Sequence, residues 1–319
     1  MGPEAGLSRE SPGSALSGRA RAFALTEPCA SCRVQGVKTV RLLYPDYLSG
    51  GLDTYAFGTR LMRYLLPENP RQPLITVDVA PPGAAVPPER RGIKALDAVL
   101  DGVRDAQAKL EQCRPERVIT IGGTCLVSLA PFDYLHGLGG RMGIIWLDAH
   151  PDVSLPENGY PQAHAMVLGA LLGRGAGPLR EVMRHAPFRP DELLYVGLQG
   201  LLDYQERFLR ESEVPFRVQT ESFVGDDELR AFMSRFDRLL VHLDVDVLDP
   251  RFFHATYFAY PDLVGDGSGG GAMRLSELGR LLRLVTTEAT VAGLTIAEYL
   301  PFEAEAFSKM LASLPLLSD

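Results

Sequence analysis

Ten residues, Gly143 to Asp152 (GIIWLDAHPD), constrain the fold of this chain more than any other stretch. Ile144-Ile145-Trp146-Leu147 is continuously apolar, the pattern of a strand buried on both faces. The run stops at Asp148-Ala-His150-Pro-Asp152, so three metal-competent side chains sit at alternate positions past the strand's carboxyl end. In extended chain, residues i, i+2 and i+4 point to one side. Two carboxylates and an imidazole therefore converge where open α/β sheets place their ligands. A polar loop capping one strand would account for one such cluster. A second acidic cluster, His242-Leu-Asp244-Val-Asp246-Val-Leu-Asp249-Pro250, follows about a hundred residues later around another buried strand, Leu239–Leu243.

The remaining elements alternate in type. Strands are expected at Val37–Tyr44, Leu74–Val79, Val118–Ile121, Leu193–Gly197, Phe216–Gln219 and Val291–Ala297. Helices are expected at Tyr55–Leu66, Ile93–Cys113, 163–173, Asp227–Arg235, Leu275–Val285 and 302–313, with a Gly-rich loop at 265–271. Leu96, Val99, Leu100, Val103 and Leu110 carry the helical spacing of the longest one. Strand–helix alternation is the signature of βαβ units, hence an α/β fold with a mainly parallel central sheet and helices on both faces. Residues 37–319 read as a single domain. Residues 1–36, rich in Gly, Ser, Ala, Pro and Arg without periodicity, read as a disordered or loosely docked arm.

Composition narrows the class. A net charge of -8 argues against nucleic acid and anionic membranes, which need a basic surface. No apolar run reaches the length of a membrane-crossing helix, and no secretory leader follows the first residues. Four cysteines (Cys29, Cys32, Cys113 and Cys125) are too few for a disulfide framework at 319 residues, which points to the cytoplasm. The Cys29–Cys32 spacing has no second pair, so the two are expected to be unremarkable thiols.

Four buried-looking strands end in polar groups: Gly122-Gly123-Thr124-Cys125, Asp148-Ala-His150-Pro-Asp152, the His242–Pro250 segment, and Thr295-Ile-Ala-Glu298. Carboxylates gathered at one sheet edge repel unless protonated or neutralised. A pair of divalent cations is the economical remedy.

These segments, from about residue 37 to the C-terminus, resemble the ureohydrolase family of arginases and agmatinases, implying a three-layer αβα arginase-like fold. The Asp-Ala-His-x-Asp motif is intact at 148–152, and the Ser-x-Asp-x-Asp-x-x-Asp-Pro motif is nearly so, with His242 in place of Ser. The resemblance implies a binuclear metal-dependent amidinohydrolase. Asp148 and Asp244 would bridge two divalent ions, Asp152 would ligate one, and His150 with Asp246 the other. Manganese is the expected metal. Glu298 matches the family glutamate that meets the guanidinium, and His164, twelve residues after Asp152, matches the proton-shuttling histidine. The plainer readings, an ordinary helix-start residue for His164 and a solvated strand-end carboxylate for Glu298, are the minor ones inside this constellation. His242 reads as a core residue bonded to backbone.

The first motif departs: Gly-Gly-Asp-His is here Gly122-Gly123-Thr124-Cys125. A thiolate ligates metal after losing its proton, and its softness admits Zn2+, Fe2+, Co2+ or Ni2+ beside Mn2+. The segment is similar to a Cys-bearing branch that includes hydrolases of N-hydroxyarginine. Two readings stand. In one, Cys125 completes a working two-metal site. In the other, that position is weakened, and the chain is a catalytically weak or inactive arginase-like binding protein. A deacetylase relationship is ranked low because no adjacent His-His occurs.

In the first reading, a hydroxide held between the metals attacks the guanidino carbon of a small cationic substrate. Urea or a urea derivative is released, with Asp152, His164 and Glu298 as the catalytic groups. Ser154, Asn158 and Gln162 are the candidates for holding the substrate tail, alongside Glu298 at the head. The family's Arg-Asp pattern is lost at Gln199-Gly-Leu-Leu-Asp203, and Tyr257, Phe258 and Tyr260 bring aromatics where relatives have small residues. A homo-oligomer, trimeric or hexameric, is implied by resemblance alone.

Overall fold

The computed structural model describes residue 2 and residues 38–260, 269–302 and 304–318. Apart from residue 2, the expectations for residues 1–36, Cys29 and Cys32 among them, and for most of the 265–271 loop lie outside the described residues. Among the described residues, seven strands form one sheet: β1 (Thr39–Tyr44), β2 (Leu74–Thr76), β3 (Arg117–Gly122), β4 (Met142–Leu147), β5 (Leu193–Val196), β6 (Arg238–Asp244) and β7 (Val291–Ala297). Their order is β2-β1-β3-β7-β6-β4-β5, and each pairing is parallel. The helices are α1 (Thr54–Leu65), α2 (Leu96–Cys113), α3 (Leu129–Gly137), α4 (Val167–Leu171), α5 (Gly177–Val182), α6 (Asp203–Glu211), α7 (Asp226–Met233), α8 (Leu275–Glu288), α9 (Ala304–Ala312) and α10 (Pro315–Ser318).

The period-two geometry of the strands feeds two cores, one on each face of the sheet. Ile144 and Trp146 pack on one side with Val99, Val103, Phe132 and Val167. Ile145 and Leu147 pack on the other with Met62, Leu229, Leu282 and Phe307. Each fully buried aliphatic or aromatic side chain contributes about 1.5–3 kcal/mol of transfer free energy, so both faces resist exposure.

The sheet order positions the site. β3, β7, β6 and β4, the four strands whose ends carry the polar motifs, are consecutive neighbours although their sequence order is different. Leu147 pairs with Leu243, and Asp244 with Ala297, so Asp148, Asp244 and Glu298 emerge side by side.

Three local expectations are corrected. Phe216–Gln219 is not a strand; it is irregular chain held against the end of β5 by the buried Gln219 amide. That amide donates to the Tyr195 carbonyl at 2.9 Å and accepts from the Gly197 N–H at 3.1 Å, replacing ladder bonds with side-chain ones. The 163–173 helix is a 3-10 turn, Ala163–Met166, that runs into the short α4. The long helix starts at Leu96, because Ile93 forms an isolated bridge with Arg90 and Ala95 has a φ of +51°.

Candidate metal centre

The strand ends fix the cluster before any side chain moves. Asp148 follows β4 directly and is fully buried. Its Oδ2 accepts from Trp146 Nε1 at 2.9 Å and its Oδ1 from the His150 N–H at 2.6 Å. Trp146, two residues earlier on the same face, therefore orients the carboxylate. Asp244 ends β6, and its Oδ1 accepts the Asp246 N–H at 2.7 Å, starting the tight turn that brings Asp246 back to the cluster. Asp246 accepts from the Ala149 N–H at 3.2 Å and faces His150 Nδ1 at 2.9 Å. Cys125 is buried beyond β3, its Sγ 2.7 Å from Asp244 Oδ2 and 3.7 Å from Glu298 Oε1.

Two of these residues hold unusual backbone. Asp152 has a φ of +50° and Glu298 of +62°, the left-handed region that L side chains rarely adopt. Such strain costs on the order of 1–3 kcal/mol and persists only where the surroundings over-determine it. They do here. The Asp152 carbonyl accepts from the N–H groups of Leu168 and Gly169, and the Glu298 N–H donates to Gly123 at 3.1 Å. Gly123 admits no side chain, since a Cβ there would lie 1.7 Å from the Asp46 carbonyl oxygen.

The electrostatics are those of crowded buried carboxylates. Burial, then repulsion from Asp246, pushes Asp148 up to about 7. Burial and neighbouring acids raise Asp152 and Asp244 well above the ordinary carboxylate range. Burial and Asp244 likewise hold the Cys125 thiol protonated. Burial opposes charge on His150, but Asp246 and Asp148 outweigh it and its pKa rises. Removing like charges from water at one point is unfavourable unless something positive sits among them.

Three buried atoms lack a hydrogen-bond partner in this cluster: His150 Nε2, Asp152 Oδ2 and His242 Nε2. Donor atoms lying within 4.8 Å of one another form the set Cys125, Asp148, Asp152 and His242, and the set Asp148, His150 and Asp246. Asp148 belongs to both. A third set joins Cys125, Asp244 and Glu298. Oxygen, imidazole and thiolate donors with orphaned atoms facing inward suit a pair of divalent cations, so the residues present fit the metals the fold implies.

A cavity of about 370 Å³ opens onto this cluster. It is lined by Cys125, His150, Asp152, Asp244, Asp246 and Glu298, and by His164, Ser154 and Gln162. His164 Nδ1 lies 2.6 Å from Glu298 Oε1, and its Nε2 3.0 Å from the Tyr160 hydroxyl. Burial opposes its charge, but Glu298 outweighs that and raises its pKa. Asn158 is not brought to the cavity; its Oδ1 accepts the Leu155 N–H at 2.8 Å and closes its own turn. Ser154 reaches the wall but shares its hydroxyl with Tyr204 at 3.0 Å.

His242 is bonded differently from expectation. Its Nδ1 lies 2.8 Å from the Ser128 hydroxyl rather than a backbone group, and its ring stacks on Trp146 at 3.7 Å. Burial pushes its pKa down to about 3, so the imidazole is neutral. Sequence reasoning also missed Tyr55, which lines the cavity and donates to Glu298 Oε2 at 2.7 Å. It sits in the first turn of a helix far from every motif, and no local signal pointed to it.

The sequence model of the Arginase family matches residues 76–314. The chain belongs to the arginase family. Members are amidinohydrolases with a binuclear metal site, which is the chemistry this cluster fits. Among curated relatives, the arginase of Entamoeba histolytica is 29% identical over 230 residues, covering 66% of this chain and 71% of that protein. The Bacillus caldovelox arginase is 26% identical over 168 residues, covering 50% of this chain and 56% of that one. The solved E. histolytica arginase superposes with a TM-score of 0.68 at 18% identity, over 87% of this chain and 97% of that one. Proclavaminate amidinohydrolase from Streptomyces clavuligerus gives 0.58 at 18%, over 88% and 89%. At such identities these likenesses speak to the fold. No helix among the described residues is long and apolar enough to cross a membrane.

Proposed function

We propose that this chain hydrolyses a C–N bond of a small cationic guanidino compound, releasing an amine and urea or a urea derivative. The observation that carries the reading is the convergence of Cys125, Asp148, His150, Asp152, Asp244 and Asp246 at one end of a cavity whose wall presents Glu298 and His164. Asp148 and Asp244 would help hold the two divalent ions, as the resemblance implies. Cys125 and Asp152 would complete one ligand set, and His150 and Asp246 the other. When bound, the ions supply Lewis acidity that lowers the pKa of water towards neutrality. Manganese is the expected pair, with the thiolate shifting preference towards softer metals.

The chain's own groups account for the rest. Glu298 Oε1 and Oε2 are fixed by His164 and Tyr55 and present a flat acceptor to a planar guanidinium. Asp152 Oδ2, which has no protein partner, accepts the proton of the attacking water. His164 donates a proton to the departing amine and exchanges it through the Tyr160 hydroxyl, 3.0 Å from Nε2. The Cys-bearing resemblance adds N-hydroxyarginine as a substrate, with hydroxyurea as its product. The tail contacts fall to Ser154 and Gln162 beside an aromatic wall of Tyr204, Tyr257 and Phe258.

Metal-loaded protein incubated with L-arginine, N-hydroxy-L-arginine, agmatine and methylguanidine tests this by urea or hydroxyurea release. Release from at least one, abolished by a chelator, is expected. Tight metal loading with no release from any of them would contradict the hydrolase reading.

A further inference from the structure

We propose that His242 is itself a ligand, contributing Nε2 to the metal position formed by Cys125, Asp148 and Asp152. The inference rests on the two-metal reading above and adds to it a residue that the resemblance does not supply, since that motif carries serine at this position. Four observations meet. His242 is fully buried in the middle of the sheet. Its Nε2 has no hydrogen-bond partner, which a neutral buried imidazole avoids unless something else takes that nitrogen. That nitrogen lies 3.9 Å from Asp148 Oδ2, and a His242 ring nitrogen lies within 4.8 Å of donor atoms on Cys125, Asp148 and Asp152. Nitrogen and oxygen donors to one tetrahedral ion lie roughly 3.3–3.5 Å apart, so Nε2 and Asp148 Oδ2 would need to close by only a few tenths of an ångström.

The far side of the ring supplies the remaining condition. A ligating histidine needs its other nitrogen protonated and held, so that the lone pair points at the metal. Ser128 Oγ lies 2.8 Å from Nδ1 and can accept a hydrogen bond from Nδ1–H, fixing the tautomer that leaves the lone pair on Nε2. Stacking on Trp146 at 3.7 Å, with the planes 11° apart, fixes the ring plane. Trp146 also donates to Asp148 Oδ2, so one indole orients both the imidazole and the carboxylate beside it. Sheet register explains the arrangement: Trp146 pairs with His242 across β4 and β6, and Ser128 reaches in from the turn before α3. The imidazole missing at position 125 is thus available from a different strand.

Ligand counting on the parent protein decides the matter without mutation. X-ray absorption at the metal edge, on protein loaded with two zinc ions, should show scattering from two imidazoles per pair, His150 and His242, beside one sulfur. One imidazole per pair overturns the assignment while leaving the two-metal reading intact. Failure to bind zinc or manganese at all overturns both. His242→Phe, which keeps the stack on Trp146, should weaken one of the two ions by about a hundredfold in competition with a chromophoric chelator and spare the other. Ser128→Ala should weaken the same ion by about tenfold. Parent-like affinity for both ions in a folded His242→Phe protein would also overturn it.

Discussion

At the scale of single residues, function here depends on how side chains at strand ends are held, not only on which they are. Glu298 is held at both oxygens, by Tyr55 at 2.7 Å and His164 at 2.6 Å, and its backbone is forced to a φ of +62°. Removing only the hydroxyl, in Tyr55→Phe, leaves the buried ring in place and one carboxylate oxygen without its donor. Steady-state kinetics on a guanidino substrate should then show KM raised about tenfold with kcat changed less than threefold, the value of one lost hydrogen bond to a charged group. A fall in kcat at constant KM would mean that Tyr55 acts on the chemical step instead. That the acidic and imidazole side chains at 148, 150, 152, 244 and 246 gather at strand ends was legible from their spacing after buried runs. That Asp152 gets there through a left-handed φ and Asp246 through a 3-10 turn, rather than by alternation in extended chain, was not. Tyr55, Tyr160 and Ser128 were not, because their roles come from tertiary placement. Trp146 is the intermediate case: it stands two residues before Asp148 on the same strand face, which puts its indole N–H beside the carboxylate.

At the scale of elements, the contact between α1 and the end of β7 matters most. Gly58 lies one turn after Tyr55 on the same helix face, and a Cβ there would sit 1.9 Å from the Tyr299 carbonyl oxygen. This close approach is what lets Tyr55 reach Glu298. Gly58→Ala should therefore destabilise the fold by about 1–3 kcal/mol, measured by urea unfolding. It should also reproduce part of the Tyr55→Phe rise in KM; unchanged stability would mean that α1 has room to shift. The elements that sequence reasoning missed were missed for opposite reasons. Every residue of α3 from Leu129 to Leu135 is buried, so no polar face gave it a helical period. In α6 only Gln205 and Leu209 are buried, leaving too little apolar stripe to read. The strand expected at Phe216–Gln219 failed because β propensity says nothing about whether an edge partner exists; Gln219 satisfies the edge with its side chain.

At the scale of the whole molecule, a sheet whose order differs from the chain order collects four distant motifs at one edge, and collects their charge with them. In the metal-free protein Asp148 titrates at about 7, against roughly 4 in an unfolded chain. A carboxyl raised on folding binds protons more readily in the native state, so its contribution is fully present below about pH 4 and is lost as pH rises through 7. His150, raised by Asp246 and Asp148 against its burial, acts in the same direction, while His242, lowered to about 3 by burial, opposes them below about pH 6.5 as one group against several. Scanning calorimetry of chelator-treated protein should show a lower Tm at pH 8 than at pH 5.5, and saturating divalent metal should restore most of the difference at pH 8. At a hundredfold excess over Kd a bound ion stabilises by about 2.7 kcal/mol. A metal-free Tm that rises between those two pH values would show that the carboxylates are not crowded as described.

The most direct test of the account is the metal content of purified, untagged protein by elemental analysis, with Cys125→His in parallel. About two divalent ions per chain in the parent, with Cys125→His no fuller, is the predicted result. One ion or none in the parent, rising to two on Cys125→His, would show that cysteine has dismantled half of the centre, and the two-metal hydrolase account would not survive it.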